Sequence, residues 1–444
     1  MMKQTLVYPL MLSALLMASS VSAGELHDPE LIKQGEYLAR AGDCVACHTA
    51  KNGKPFAGGL SIATPVGTIY ATNITPDPAT GIGSYSLDDF DKAVRHGLAK
   101  DGYALYPAMP FPSYAKVSAD DVRAMYAYFM NGVEPVQQRN RPSEIPWPLS
   151  MRWPLQIWRY MYAPEVAKIT PKPVPIENAQ IARGAYLVQG LGHCGSCHTP
   201  RALTLQEKAL DESDPDYLAG GQVIDGWVAI SLRGNQFDGL GSWSEDDIVQ
   251  TLRTGRNEHS ASLGPMNDVI EHSGQFMNDS DLHAIAKYLK SLPASNVSED
   301  VSFKREDSTA KALYAGESPS RGAELYVDNC AACHRTDGQG YKEVFPRLAG
   351  NPSILSGDAS SMIRLILSGS KLPSTEQAPS NLTMPDFAWR LNDQEAAQLV
   401  NFIRNSWGNR APTVKASEVS EVRKNIQQEH QGEMVSHEQE NSKH

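Results

Sequence analysis

Cys44-Val45-Ala46-Cys47-His48, Cys194-Gly195-Ser196-Cys197-His198 and Cys330-Ala331-Ala332-Cys333-His334 together hold all six cysteines of the 444-residue chain. An exported chain with six cysteines would by default be read as three disulfides. The spacing argues against that default, because each Cys pair is followed at once by His and no Cys is left over. Redox and zinc sites also use Cys-x-x-Cys, but neither requires the histidine three times. The pattern is that of covalent c-type haem attachment. Two thiols three positions apart share one helical turn and can bond both vinyl groups on a porphyrin edge, and the next imidazole reaches the iron. Three covalent haems are therefore expected, tethered by Cys44, Cys47, Cys194, Cys197, Cys330 and Cys333 and ligated by His48, His198 and His334.

The motifs lie 150 and 136 residues apart, enough for one compact domain each. Flanking text repeats too. A Gly-containing helical stretch precedes each motif: Gly35-Glu36-Tyr37-Leu38, Gly184-Ala185-Tyr186-Leu187 and Gly322-Ala323-Glu324-Leu325. Gly81-Ile82-Gly83-Ser84-Tyr85-Ser86 is echoed by Gly239-Leu240-Gly241-Ser242-Trp243-Ser244. Ser86 with Asp89 and Ser244 with Asp247 predict helix starts, and Gly97 and Gly255 predict the ends. A last amphipathic helix is expected over about Ala119–Met130, Ser280–Leu292 and Asp393–Trp407, with Tyr128, Tyr288 and Phe402 at matching places. The small glycine of each first helix opposite that aromatic predicts a close helix crossing.

Composition sets the limits. Residues 1–23 carry Lys3, an apolar stretch from Leu6 to Met17 and Val21-Ser22-Ala23, the pattern of a cleaved export signal. The expected divisions are 24–134 for the first domain, a Pro- and aromatic-rich linker at 135–178, 179–294 for the second, a polar linker at 295–313, 314–410 for the third, and 411–444 as a polar, disordered or loosely helical tail. The linker holds Trp147, Trp153, Trp158 and the run Pro171-Lys172-Pro173-Val174-Pro175. Its aromatics predict a buried or contact-making segment, unlike a Gly/Ser spacer. The fold class expected is all-α. A net charge of -11 is the wrong sign for tracking phosphate backbones, so no nucleic acid partner is expected. After the N-terminus no run of about 18 apolar residues occurs, so membrane contact is expected to be peripheral.

A His-ligated iron that only transfers electrons needs a sixth ligand, and Met raises its potential. Met109, Met266 and Met384 lie 61, 68 and 50 residues after the motif histidines, each beside Pro, between the two predicted helices. They are the expected axial ligands, with Met277 the alternative to Met266. Met125 and Met130 read as core, and His96, His259 and His272 as surface or core histidines. Arg95, Arg253 and Arg364 read as solvated or as partners of haem propionates.

Three further groups of strings carry a family resemblance: Thr72-Asn73-Ile74-Thr75-Pro76-Asp77 with Thr80-Gly81-Ile82-Gly83, then Pro107-Ala108-Met109-Pro110, and Thr254-Gly255-Arg256-Asn257 with Gly264-Pro265-Met266. To about Trp407 the chain resembles the triple-haem cytochrome c subunits of bacterial membrane-bound dehydrogenases, such as alcohol and gluconate 2-dehydrogenases. The resemblance implies three tandem cytochrome c-type domains with His/Met ligation at each matched motif. It also implies a periplasmic subunit taking electrons from a flavin or pyrroloquinoline quinone dehydrogenase subunit and delivering them to ubiquinone. The polar C-terminus departs from an apolar or amphipathic anchor. The competing readings are a free periplasmic shuttle and a multihaem peroxidase with an open iron.

Overall fold

The computed structural model describes residues 25–166, 178–295 and 303–441. The expected export signal and the Pro171–Pro175 run fall outside them. Helices of eight or more residues are α1 (Pro29–Ala41), α2 (Leu87–His96), α3 (Ala119–Asn131), α4 (Trp153–Tyr162), α5 (Ala179–Tyr186), α6 (Glu245–Thr254), α7 (Asp279–Ser291), α8 (Arg321–Asn329), α9 (Ser360–Ser368), α10 (Asp393–Arg404) and α11 (Ala416–Asn441). Among the described residues, strand structure is confined to three two-stranded antiparallel ribbons. They pair Ser61–Thr64 with Gly67–Tyr70, Val223–Ile224 with Trp227–Val228, and Ser370–Lys371 with Thr383–Met384.

Local chemistry sets the helix limits. Ser86 and Ser244 each accept from the amide three residues on, and Asp89 and Asp247 return the bond, giving two complete capping boxes. Gly97 and Gly255 end α2 and α6 at φ 64° and 75°, a conformation that costs glycine little. The three final helices begin on Ser118, Asn278 and Asn392, each capping the amide three positions on.

The expected helix crossing occurs three times, as α1 on α3, α5 on α7 and α8 on α10. A Cβ at Gly35 would lie 1.9 Å from the Ala124 carbonyl oxygen, at Gly184 2.0 Å from that of Ala284, and at Gly322 2.4 Å from that of Gln398. Tyr128, Tyr288 and Phe402 flank these contacts.

The first two repeats share one hydrophobic core, including Leu38, Tyr114, Phe129, Leu187, Tyr217 and Leu282, whereas the third has its own, around Tyr326, Ile363, Val400 and Trp407. Across the shared core, side chains are exchanged reciprocally. Tyr37 of α1 donates to Asp281 of α7 at 2.6 Å, and Tyr186 of α5 donates to Asp121 of α3. Arg183, the residue before Gly184, holds the same Asp281 with bonds of 2.8 and 2.7 Å. Gln34, before Gly35, reaches Asp121 at 3.3 Å. In the third repeat Arg321 and Glu395 keep the internal pair at 2.8 Å, but Glu324 stands where the other two have tyrosine and takes Arg321 at 3.0 Å.

The third repeat meets the second by other means. Arg256, buried, donates to the carbonyls of Glu343, Pro373, Ala378 and Ser380, the last at 2.9 Å. Val228 N donates to Ser361 Oγ at 2.7 Å, and Asn267 to the Lys371 carbonyl at 2.9 Å.

Two segments outside the repeats are fastened to the body. The linker expected at 135–178 is bonded into the body from its start: Asn73 Nδ2 donates to Val136 O at 2.8 Å, Gln138 Nε2 to Ala57 O at 3.0 Å, and Glu144 N to Thr68 O at 2.7 Å. The tail, expected to be disordered or loosely helical, forms the helix α11, which packs on α9 and α10. Val419 and Ile426 are buried in the third core with Val422 against it, a one-sided i, i+3, i+7 pattern. Arg423 binds Asp393 at 2.7 Å and Arg364 binds Glu429 at 3.1 Å, so three aliphatic residues and two ion pairs dock a helix that composition alone presents as solvated.

Candidate haem sites

Each Cys-x-x-Cys-His unit is one helical turn at the end of a Gly-containing helix. The histidine amides donate to the carbonyls of the first cysteines: His48 to Cys44 at 3.0 Å, His198 to Cys194 at 2.9 Å and His334 to Cys330 at 2.9 Å. That i, i+4 closure puts two thiols and an imidazole on one short surface. All six cysteines are free thiols, which removes the disulfide reading for this structure.

The imidazoles share a second feature that spacing could not reveal. Nδ1 of His48 lies 2.6 Å from Thr72 O, Nδ1 of His198 2.7 Å from Ile230 O, and Nδ1 of His334 2.9 Å from Pro346 O. A carbonyl only accepts, so each Nδ1 carries the proton and Nε2 keeps a lone pair for a metal. Burial lowers the pKa of all three, opposed by those carbonyl bonds, which favours the neutral ligating form. Burial pushes Cys44, Cys194 and Cys330 up to about 12 and Cys47 to about 11, with the charge of Asp43 adding to the first and last of these. Such thiols are poor exchangers at neutral pH, unlike a redox Cys-x-x-Cys.

Met109 sits in a turn closed by its amide on Tyr106 O at 3.0 Å, half-buried against the shared core. Met266 opens the short helix Met266–His272 behind Pro265, also half-buried. Met384 lies in the third ribbon beside the third core. Met277 packs against the shared core, the ordinary role of a thioether. The other histidines are engaged elsewhere. His259 stacks on Trp243 with ring centroids 5.5 Å apart, its Nε2 3.2 Å from Asp247 and its Nδ1 accepting from Arg347 at 2.6 Å. His96 is 3.8 Å from Asp91, and His272 clusters with Asp268 and Glu271. Arg95, Arg253 and Arg364, considered above for propionates, pair with Asp91, Asp279 and Glu429.

Other buried groups lack a partner in the polypeptide. Among the described residues, Tyr106 Oη, Tyr217 Oη, Trp243 Nε1, Arg256 Nε and Arg347 Nε are buried without a hydrogen-bond partner. Buried donors left bare cost roughly 1–3 kcal/mol each, so a set of them calls for an acceptor the polypeptide does not supply. Donors of this kind fit the carboxylates of a haem. Trp243 had a signal in the sequence through its place in the Gly-x-Gly-Ser repeat, and Arg256 through the string Thr254-Gly255-Arg256-Asn257.

Comparison with known proteins agrees with this chemistry. Residues 319–407 match the cytochrome c family model. The gluconate 2-dehydrogenase cytochrome c subunit of Pantoea cypripedii is 58% identical, covering 90% of this chain and 92% of that protein. The cytochrome c subunit of the quinone alcohol dehydrogenase of Gluconobacter oxydans (strain 621H) is 52% identical over 92% and 86%. A diheme cytochrome c-type protein of Cereibacter sphaeroides is 35% identical, covering 60% of this chain and 90% of its own.

Proposed function

The chain belongs to the family of dehydrogenase cytochrome c subunits, and from that premise we propose that it is a three-haem electron carrier of a periplasmic oxidoreductase complex, not itself the catalyst of substrate oxidation. The observation that carries the proposal is the threefold Cys-x-x-Cys-His turn with its imidazole Nδ1 bound to a backbone carbonyl. In this reading the chain is three tandem cytochrome c domains. Cys44 and Cys47, Cys194 and Cys197, and Cys330 and Cys333 hold the porphyrins; His48 with Met109, His198 with Met266, and His334 with Met384 complete the iron coordination. Bound haem supplies a reversible one-electron iron couple. The polypeptide fixes the imidazole tautomer through Thr72, Ile230 and Pro346, and offers Tyr106, Trp243 and Arg347 as donors to acidic groups.

The names of the relatives support a dehydrogenase partner; the family resemblance of the sequence adds flavin or pyrroloquinoline quinone as that partner's cofactor and ubiquinone as the final acceptor. The exported chain would act on the periplasmic face of the inner membrane, held there peripherally. Gentle solubilisation and purification of the chain should bring a companion dehydrogenase subunit whose substrate reduces the haems, and a short-chain ubiquinone should reoxidise them. Release of the chain alone by osmotic shock, with no companion, would refute the proposal in favour of a free shuttle.

A further inference from the structure

The helix α4 has two faces. One face fastens it to the body. Trp158 Nε1 donates to Thr204 O at 2.8 Å, its ring meets Phe111 edge-on at 6.1 Å, and Gln156 donates to Gly102 O at 3.1 Å. The other face points to solvent and is apolar: Trp153, Ile157, Tyr160 and Met161 are 62%, 51%, 84% and 60% exposed. These positions follow i, i+4, i+7, i+8, a continuous helical stripe. Solvent-facing stripes normally carry charge, and a contiguous apolar one marks an interaction surface.

Exposed apolar side chains also occur in the chain next to the helix. Trp147, Leu149 and Met151 on the approach to α4 are exposed, and so are Leu203 and Leu205, on either side of the Thr204 carbonyl that Trp158 holds. Charge identifies the occupant. Between Glu144 and Glu165 the only charged residues are Arg152 and Arg159, half-buried at the foot of the stripe where they donate to Ala104 O and His96 O, on a chain whose net charge is -11. Locally cationic, rich in Trp and Tyr and fixed on a rigid body, this surface matches the headgroup layer of an anionic bilayer. A ten-residue helix is about 15 Å long, half the roughly 30 Å hydrocarbon thickness, so α4 can lie in the interface but not cross it. No helix among the described residues is long and apolar enough to cross a membrane, and the buried part of α11 is spent on the third core.

We infer that the exposed stripe of α4, with Trp147, Leu149 and Leu203 beside it, is the surface by which this chain docks on an anionic phospholipid membrane. The inference deepens the peripheral association proposed above and rests on that reading. Purified full-length holoprotein, followed by its haem absorbance, should float with vesicles of phosphatidylethanolamine and phosphatidylglycerol, and less with phosphatidylcholine alone. The triple substitution Trp153→Ser, Ile157→Ser, Tyr160→Ser should weaken flotation about ten-fold or more with an unchanged haem spectrum. Tyr160→Ser alone touches the most exposed of these side chains and should weaken flotation measurably without a folding penalty. Wild-type protein that stays unbound to both vesicle types, or a triple variant that floats equally well, overturns the inference. So does capture by a dehydrogenase subunit with no binding to protein-free vesicles, which would make the stripe a protein interface. Electron transfer from the companion subunit to quinone, measured in detergent, does not depend on vesicle binding, so failure of the electron-carrier reading is scored separately.

Discussion

Replacing Gly184 with Ala sets two opposing effects against each other, and the geometry decides the sign. In a helix interior alanine is favoured over glycine by about 0.8–1.0 kcal/mol, so on propensity alone the substitution stabilises. The new Cβ, however, would lie 2.0 Å from the Ala284 carbonyl oxygen and 2.6 Å from Tyr288 Cβ, the backbone and stem of the facing helix. A carbon against a carbonyl oxygen needs about 3.3 Å, so α5 and α7 must part by over an ångström. Overpacking of this kind costs about 1–3 kcal/mol and more where backbone must move, so the net expectation is a loss of about 2 kcal/mol. For the unit of about 250 residues that shares the first core, that lowers the thermal midpoint by roughly 4–8 °C, followed by far-ultraviolet circular dichroism and haem absorbance. Gly35→Ala should behave alike, and Gly322→Ala, with 2.4 Å to relieve, should cost less. Gly190, in the helical continuation Leu187–Leu191, is the control, because a Cβ there meets nothing closer than 3.8 Å. If Gly184→Ala melts at or above the wild type, or Gly190→Ala melts equally low, the crossing is not what holds these helices together.

Two further outcomes are expected. Tyr37→Phe and Tyr186→Phe each remove one half of the exchange between the first two repeats, at about 1–2 kcal/mol each for a bond to a carboxylate, buried at Asp281 and partly exposed at Asp121, read as a lower first unfolding midpoint. Glu324→Gln, at the matching place in the third repeat, should leave that midpoint unchanged. Asp281 carries the pH dependence of the same contact: burial pushes its carboxyl up, but bonds from Arg183 and Tyr37 bring it below its ordinary 3.8. A depressed carboxyl stabilises above the unfolded value and loses that contribution as pH falls through and below it, so acid midpoints measured under pH 4 should rise in Tyr37→Phe. Finally, Met266→Ala should remove a sulfur-to-iron absorption band and lower one haem potential, whereas Met277→Ala should do neither; the reverse result would move the sixth ligand to Met277.

What was legible in the sequence was local. Ser86, Asp89 and Gly97 decide where α2 begins and ends within one turn on either side, and Gly35 opposite Tyr128 follows from repeat alignment alone. The haem-binding pattern was complete in five residues, yet the carbonyls of Thr72, Ile230 and Pro346 that orient its histidines lie 24, 32 and 12 residues away in irregular loops. The docking of α11 was hidden for a related reason. Val419, Val422 and Ile426 make a thin stripe in a polar run, and only the third core, Asp393 and Arg364 give that stripe something to bind.

The position two residues after each first-helix glycine bears on how the repeats assemble. Tyrosine there in the first two repeats reaches across to the other repeat's aspartate, while the residue before the glycine stays with its own acid. Such an exchange is isologous, the same patch used once by each partner, and it closes on itself. A third copy bearing the same tyrosine would find both acceptors taken. Glu324 removes that competition by turning the position inward to Arg321, and the third repeat attaches through the carbonyls around Arg256 instead. The chain is therefore built as a closed pair with one addition. Glu324→Tyr should then leave the pair intact and cost the third repeat its Arg321 contact, because the site that a tyrosine would seek is already filled.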